Sequence, residues 1–334
     1  MQNSAEKSSN PVRKILENEF SKNEENHSSF LKRLYIYQKE RFPLIGHGLL
    51  IAAFSFSAIS YSRISRGAEG FVSWDKYLVG VFTTITLFLL VRIIDEFKDA
   101  KEDAEYRKEL PVPRGLISFH ELKVIGIVIV LLQIAVNAIF FPAMLIVYFL
   151  ILVYLSLMSK EFFVADWLKK HQFWYVTSHM FIIPFVDIYA SGFDWIIENV
   201  SAPKGLVFFF AVSYMNGIVL EVGRKIRPPE NEAVGVQTYT SMLGTQKAVL
   251  LWIGVLFVTL LLSLFASQYA GYGTTALLIL GSIFIICSVP AIIFLKSQTK
   301  KSSKAIELSS AIWTIAMYLA LGGIPMVQKL ILRE

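Results

Sequence analysis

The sequence predicts an all-α, polytopic membrane protein, and three observations carry that expectation. Of its 334 residues 54% are hydrophobic and only 17% are charged, against about 25% in a typical soluble domain. The apolar residues gather into runs near the roughly 20 residues that cross a bilayer as a helix. The basic residues collect between those runs, mostly on alternate sides, which is the bias expected of cytoplasmic loops. A single cysteine, Cys287, excludes a disulfide scaffold. The net charge of +6 is spread through loops between apolar runs, so it points to membrane lipids as partners and not to nucleic acid.

Residues 1–42 are too polar for a cleavable leader and read as a cytoplasmic N-terminal segment. Within it Phe30, Leu31, Leu34, Tyr35 and Tyr37 interleave with Lys32, Arg33, Lys39 and Arg41. That composition suits an interfacial amphipathic helix or a solvated leader into the first span. Residues 43–327 form the membrane domain. Its apolar runs are 43–62, 76–96, 121–140, 142–158, 173–191, 205–223, 247–266, 273–294 and 307–327. Only the turn at Phe141-Pro142 divides the third from the fourth, so eight spans are the alternative. Charge decides between them. With the N-terminus cytoplasmic, the segments on that side hold 24 Lys and Arg and the opposite segments hold 6. Merging the third and fourth runs would reverse every later loop and spoil this asymmetry. The expectation is nine spans, with the tail 328–334 on the side opposite the N-terminus.

The second span ends Arg92-Ile-Ile-Asp95-Glu-Phe-Lys-Asp99-Ala-Lys-Glu-Asp103. A continuing helix stacks Asp95, Asp99 and Asp103 on one face. Negative charge is disfavoured at a helix C-terminus, and like charges at this spacing repel. A divalent cation reverses both effects, and Mg²⁺ takes one or two carboxylates together with phosphate oxygens. The next stretch, Arg107-Lys108-Glu-Leu-Pro-Val-Pro-Arg114-Gly, stops the helix and sets basic residues near the acids. Carboxylates for Mg²⁺ followed by Arg and Lys suit a diphosphate. An ordinary basic loop is the alternative for Arg107, Lys108 and Arg114 taken singly.

Asp-x-x-x-Asp-x-x-x-Asp at the end of span two, with the Arg-x-x-x-Pro-x-Pro-Arg-Gly tail, resembles the first aspartate-rich motif of the UbiA superfamily of intramembrane prenyltransferases. The resemblance runs from about residue 43 to 327. It implies a nine-helix bundle around a central cavity, with Asp95, Asp99 and Asp103 as catalytic Mg²⁺ ligands. It also implies a prenyl diphosphate donor and a lipophilic or aromatic acceptor.

The second motif departs from the family pattern. The tail from Gly235 through Thr238 to Leu243-Gly244 matches, but the pair of aspartates before it is missing. Glu221 can stand for the first, as a catalytic carboxylate, while Lys225 lies where the second belongs. Three readings stay open. Arg224, Lys225 and Arg227 bind the diphosphate directly, doing electrostatically what a second metal does elsewhere. Alternatively Glu221, Asn216, Glu230 and Glu232 hold a second metal, or Glu221 and Lys225 form a plain helical ion pair.

Ionisable groups inside spans are costly and face a cavity or a partner. His179 and Asp187 lie eight apart on span five with Pro184 between them. Each reads either as an acceptor contact or base, or as a buried hydrogen-bonded group. Arg92 either snorkels or touches the phosphate. Lys160 is on the substrate side, and Tyr239 joins the aromatics able to line an apolar cavity. The functional expectation is a Mg²⁺-dependent prenyltransferase. An intramembrane terpene cyclase of the same superfamily is the alternative, followed by a non-catalytic lipid-binding or transport protein.

Overall fold

In a computed structural model the structure describes residues 25–232 and 236–332. Most of the N-terminal segment and the end of the C-terminal tail lie outside them. Among the described residues every regular element is a helix. Helices cover all nine apolar runs: Leu44–Ser65, Trp74–Lys98, Phe119–Phe140, Met144–Ser159, Gln172–Trp195, Leu206–Arg224, Thr245–Tyr269, Gly273–Lys296 and Lys300–Ile331. They are called spans one to nine here. Eight are long and apolar enough to cross a membrane; the fourth, with 16 residues, is shorter.

Local chemistry sets the breaks. Ser118 and Glu121 form a reciprocal cap that starts span three. Span five is two helices, Gln172–Met180 and Ile182–Trp195, meeting at Phe181. Pro184 has no N–H to return to Met180 four residues back, so the ladder fails there. Span nine passes from Lys300–Tyr318 through a π turn at Leu319–Gly323 into Ile324–Leu332. A Cβ at Gly322 would fall 2.7 Å from Ser57 Cα, so glycine allows spans nine and one their close approach.

The two ends of the bundle are closed by different electrostatics. At one end Asp194 of span five, fully buried, accepts from Arg66 at 2.8 Å through both oxygens. It also accepts from Ser62 at 2.9 Å and Arg63 at 3.2 Å. Glu198 lies 3.2 Å from Lys76 on span two. This cluster ties spans one, two and five together. Midway, Gln133 donates to Thr86 and accepts from Tyr148, both at 2.7 Å, and Tyr189 donates to Asn137 at 2.6 Å. Those bonds link spans two to five. A lateral apolar groove of about 400 Å³ runs between spans two, three and four.

At the other end a helix precedes the first span, Phe30–Arg41. Its inner face is fastened by arginines. Arg33 donates to both oxygens of Glu121, at 2.6 and 3.2 Å, and Glu40 accepts both nitrogens of Arg114 at 2.7 and 2.8 Å. Arg41 donates to Glu96 of span two at 2.6 Å. Phe30, Leu31 and Tyr35 remain exposed on the outer face.

Candidate active site at the mouth of the bundle

Span two delivers the first acidic residues. Asp95 lies 3.7 Å from Lys98 and 3.9 Å from Arg92. Asp99 sits between the helices Trp74–Lys98 and Ala100–Tyr106, with φ −88° and ψ 4°. Its carboxylate has no ion-pair partner among the described residues. The turn-to-turn hydrogen bonds continue from Asp95 through Asp99 to Asp103, yet the three acids do not share one environment. Asp103 is buried, accepts from Arg107 at 3.1 Å and lies 4.0 Å from Arg41. Burial raises its pKa above the ordinary carboxylate value, opposed by the Arg107 charge. Among the described residues no three His, Cys, Asp or Glu side chains form a ready-made metal cage.

The hairpin between spans four and five and the start of span five bring Glu161 and Tyr175 beside His179, already singled out from the sequence, and Lys98 of span two reaches them. Lys98 donates to the Tyr175 hydroxyl at 2.9 Å and lies 3.6 Å from Glu161. His179 stacks on Tyr175 with ring centres 4.2 Å apart. Its Nδ1 is 2.8 Å from the Tyr175 carbonyl and therefore carries a proton; its Nε2 is 3.1 Å from Glu161. Burial pushes the Glu161 pKa up, but His179 and Lys98 overcome this and hold it below the ordinary value. Glu161, Phe162 and Phe163 all have left-handed backbone, φ 48°, 52° and 62°. Three non-glycine residues in that region are strained, and the strained turn aims Glu161 at Lys98. Lys160, singled out from the sequence, is exposed beside it.

Motif two faces motif one across the mouth. Both Arg224 and Lys225 pair with Glu221, Lys225 at 2.7 Å. The Arg224 side chain stays 56% exposed, and its charge acts on Asp95. Arg227 turns away, 3.8 Å from Glu307. Tyr239 packs behind, its N–H bonded to the Lys225 carbonyl at 3.0 Å. Burial, with the Glu221 charge beside it, pushes its phenol pKa up to about 12, so it stays neutral. Glu232 accepts from Thr238 and Thr240 at 2.6–2.7 Å and is used to hold the loop. Gly235 lies outside the described residues.

The remaining sequence-derived residues divide. Arg92 donates to Glu96 at 3.1 Å, and Arg107 binds Asp103, so both border the mouth. Lys108 is exposed. Arg114 points to the N-terminal helix, as its Glu40 pairing shows. Asp187 and Asn216 are buried deeper in spans five and six.

Taken together the fold and this mouth define an integral membrane protein with carboxylates, one without an ion partner among the described residues, opposite a basic rim. The chain belongs to the UbiA prenyltransferase family, whose model matches residues 55–315. The structure is similar to one from a study of digeranylgeranylglyceryl phosphate synthase in membranes. That match has a TM-score of 0.55 and 17% identity, and covers 89% of this chain and 99% of that one. It is also similar to an apo UbiA homologue from Aeropyrum pernix K1, with a TM-score of 0.63 and 12% identity over 85% of this chain and 98% of that one. No curated protein matches the sequence. Family membership supports prenyl transfer within the membrane as the general chemistry.

Proposed function

We propose that the protein transfers a prenyl group from a prenyl diphosphate to a lipophilic acceptor with the help of Mg²⁺. The supporting observation is that Asp99, without an ion partner among the described residues, sits one turn from Asp95, with the Arg224 charge acting on Asp95 from across the mouth. These acids fit Mg²⁺, which needs only one or two protein carboxylates when phosphate oxygens complete its shell. Asp95 and Asp99 would hold the ion, with Asp103 assisting from its pairing with Arg107. Bound there, Mg²⁺ would neutralise charge developing on the leaving diphosphate. Arg224 and Lys225 grip phosphate oxygens, and Glu221 orients them. Incubation with a panel of prenyl diphosphates, with diphosphate release measured with and without Mg²⁺, tests this reading. Metal-independent release would defeat it. A cyclised hydrocarbon from donor alone would favour the cyclase alternative.

The basic rim has its own test. Arg224→Ala leaves Glu221 paired with Lys225, so no buried charge is orphaned. The expected cost is a charge-assisted contact of about 1.5–3 kcal/mol, roughly ten- to a hundredfold in donor affinity, with Mg²⁺ dependence unchanged. Glu221→Ala should be milder than Asp99→Ala. If Glu221 instead held a second metal, its loss would be as severe and extra Mg²⁺ would partly restore activity. Nine crossings also put the two termini on opposite sides, N-terminus cytoplasmic. A reporter fused to the C-terminus should therefore be accessible only from outside the cytoplasm; a cytoplasmic reporter would remove one span.

A further inference from the structure

The hairpin joining spans four and five presents large rings on its outer side. Phe163, Trp167, Phe173 and Trp174 are 77%, 47%, 72% and 51% exposed. Trp167 and Trp174 lie with ring centres 6.4 Å apart, and Phe173 and Trp174 5.3 Å apart. His171 holds Trp167 in place, stacked on it at 4.4 Å and with Nδ1 2.8 Å from the Trp167 carbonyl. Leu168, 3% exposed, fixes the inner side of the short helix Ala165–Lys170. The rings are therefore directed outward by packing behind them. A surface facing water rarely collects large rings in this way.

Basic residues are interleaved with these rings. Lys160, Lys169 and Lys170 are exposed and have no ion-pair partner among the described residues. Of the two acids in the hairpin, Glu161 is turned inward to Lys98 and His179, which leaves Asp166 alone on the outside. Phe173 and Trp174 stand in the first turn of span five, where a span leaves the hydrocarbon. Aromatic rings gather at that level, and lysine stems there lie along apolar surface while the ammonium reaches outward.

We propose that this face of the hairpin docks on anionic phospholipid. Its rings seat at the boundary between head groups and acyl chains, and Lys169 and Lys170, with Lys160 beside them, bind the lipid phosphates. The inference goes beyond prenyl transfer and does not depend on it. Charge selects the occupant. Three lysines against one exposed acid complement an anionic lipid surface, whereas a zwitterionic lipid accepts the rings but brings no net counter-charge. A second copy of the chain is disfavoured, because a two-fold contact sets a patch against itself and so brings its lysines together. The turn that sends Glu161 inward to Lys98 also sends Phe163 outward, so docking fastens the rim of the mouth from the lipid side.

Two measurements on the full chain test this. In the first, phosphatidylglycerol or phosphatidylcholine is titrated into the protein in detergent, and bound lipid is counted by native mass spectrometry. The first copy of phosphatidylglycerol should bind about tenfold or more tighter than phosphatidylcholine, the worth of two lysines at an anionic surface. In Lys169→Gln/Lys170→Gln the two lipids should bind within about twofold of each other, while Lys169→Arg/Lys170→Arg should keep the preference. In the second, Cys287, the only cysteine, is replaced by Ser and a nitroxide is attached at Phe173→Cys. In nanodiscs of the two lipids mixed, the label should collide more with oxygen than with a water-soluble nickel chelate. Equal binding of the two lipids to the wild type would overturn the proposal, as would a preference that survives the glutamine pair. A label more accessible to nickel than to oxygen would also overturn it, whether or not the glutamine pair folds. A dimer in light scattering that Trp167→Ala/Trp174→Ala dissociates would assign the face to a second copy instead.

Discussion

Asp99→Ala should lose diphosphate release by on the order of 10²–10³-fold or more, the range for removing one group that stabilises transition-state charge. The fold should survive unharmed. Asp99 ends span two, whose dipole disfavours a carboxylate, and starts the short helix Ala100–Tyr106 without making a side-chain cap hydrogen bond to it. It adds like charge beside Asp95 and has no ion-pair partner among the described residues. A residue in that position contributes little to stability, so its retention has to be explained by what it binds. Melting in nanodiscs should therefore be unchanged or slightly raised in the variant, while turnover collapses. Asp103→Ala should show the other pattern, a lower melting temperature, because it takes the buried partner from Arg107 and leaves Arg41 with Glu96 alone. Full turnover in Asp99→Ala, or a large fall in its melting temperature, would remove it from the site.

The largest effect on stability is expected at the opposite end. Asp194→Asn keeps the shape of the side chain but removes the charge that answers Arg63 and Arg66. Asp194 is fully buried, and the two arginine side chains are only 14% and 19% exposed. Removing one partner of a buried pair typically costs about 3–5 kcal/mol, and with Glu198 still 3.3 Å from Arg66 and 3.5 Å from Arg63 the cost falls at the lower end of that range. Thermal unfolding in nanodiscs should shift down accordingly. Below the transition, Mg²⁺-dependent diphosphate release should persist, since none of these residues borders the mouth. A melting temperature equal to that of the wild type would mean the cluster is wetted and weak. Loss of turnover without loss of stability would mean that it couples to the mouth.

Much of this was legible in the sequence because membrane insertion writes itself locally. Apolar runs, the Pro184 bend in span five and the spacing of Asp95 and Asp99 are all properties of neighbouring residues. What the sequence hid depends on long side chains reaching distant partners. The acidic repeat stacks three carboxylates on one face, but Asp103 is held by Arg107 one turn on and also lies 4.0 Å from Arg41, on a helix more than 60 residues earlier. Lys98 sits in plain view between two aspartates, yet nothing local says that it bends toward Glu161 and Tyr175. Glu161 itself depends on three residues with positive φ and no glycine among them, a conformation that composition argues against. Arg114 matches a family tail, and the structure pairs it with Glu40; Lys160 lies exposed beside Glu161, whose carboxylate meets Lys98.

The shortness of the fourth span has a consequence for the surrounding lipid. Its 16 residues reach about 24 Å, whereas the hydrocarbon of a typical bilayer is about 30 Å thick. Its neighbour, span three, has 22 residues. The leaflet bordering the fourth helix must therefore dimple inward, or the Lys160–Phe163 turn must ride below the level of the phosphate headgroups. Either way, the rim of the mouth is lowest on that flank. A diphosphate donor bound as proposed would meet Lys98 there without leaving the depth at which its chain already lies. Thicker membranes would deepen the dimple and raise its elastic cost, so the protein carries a built-in preference for thin bilayers.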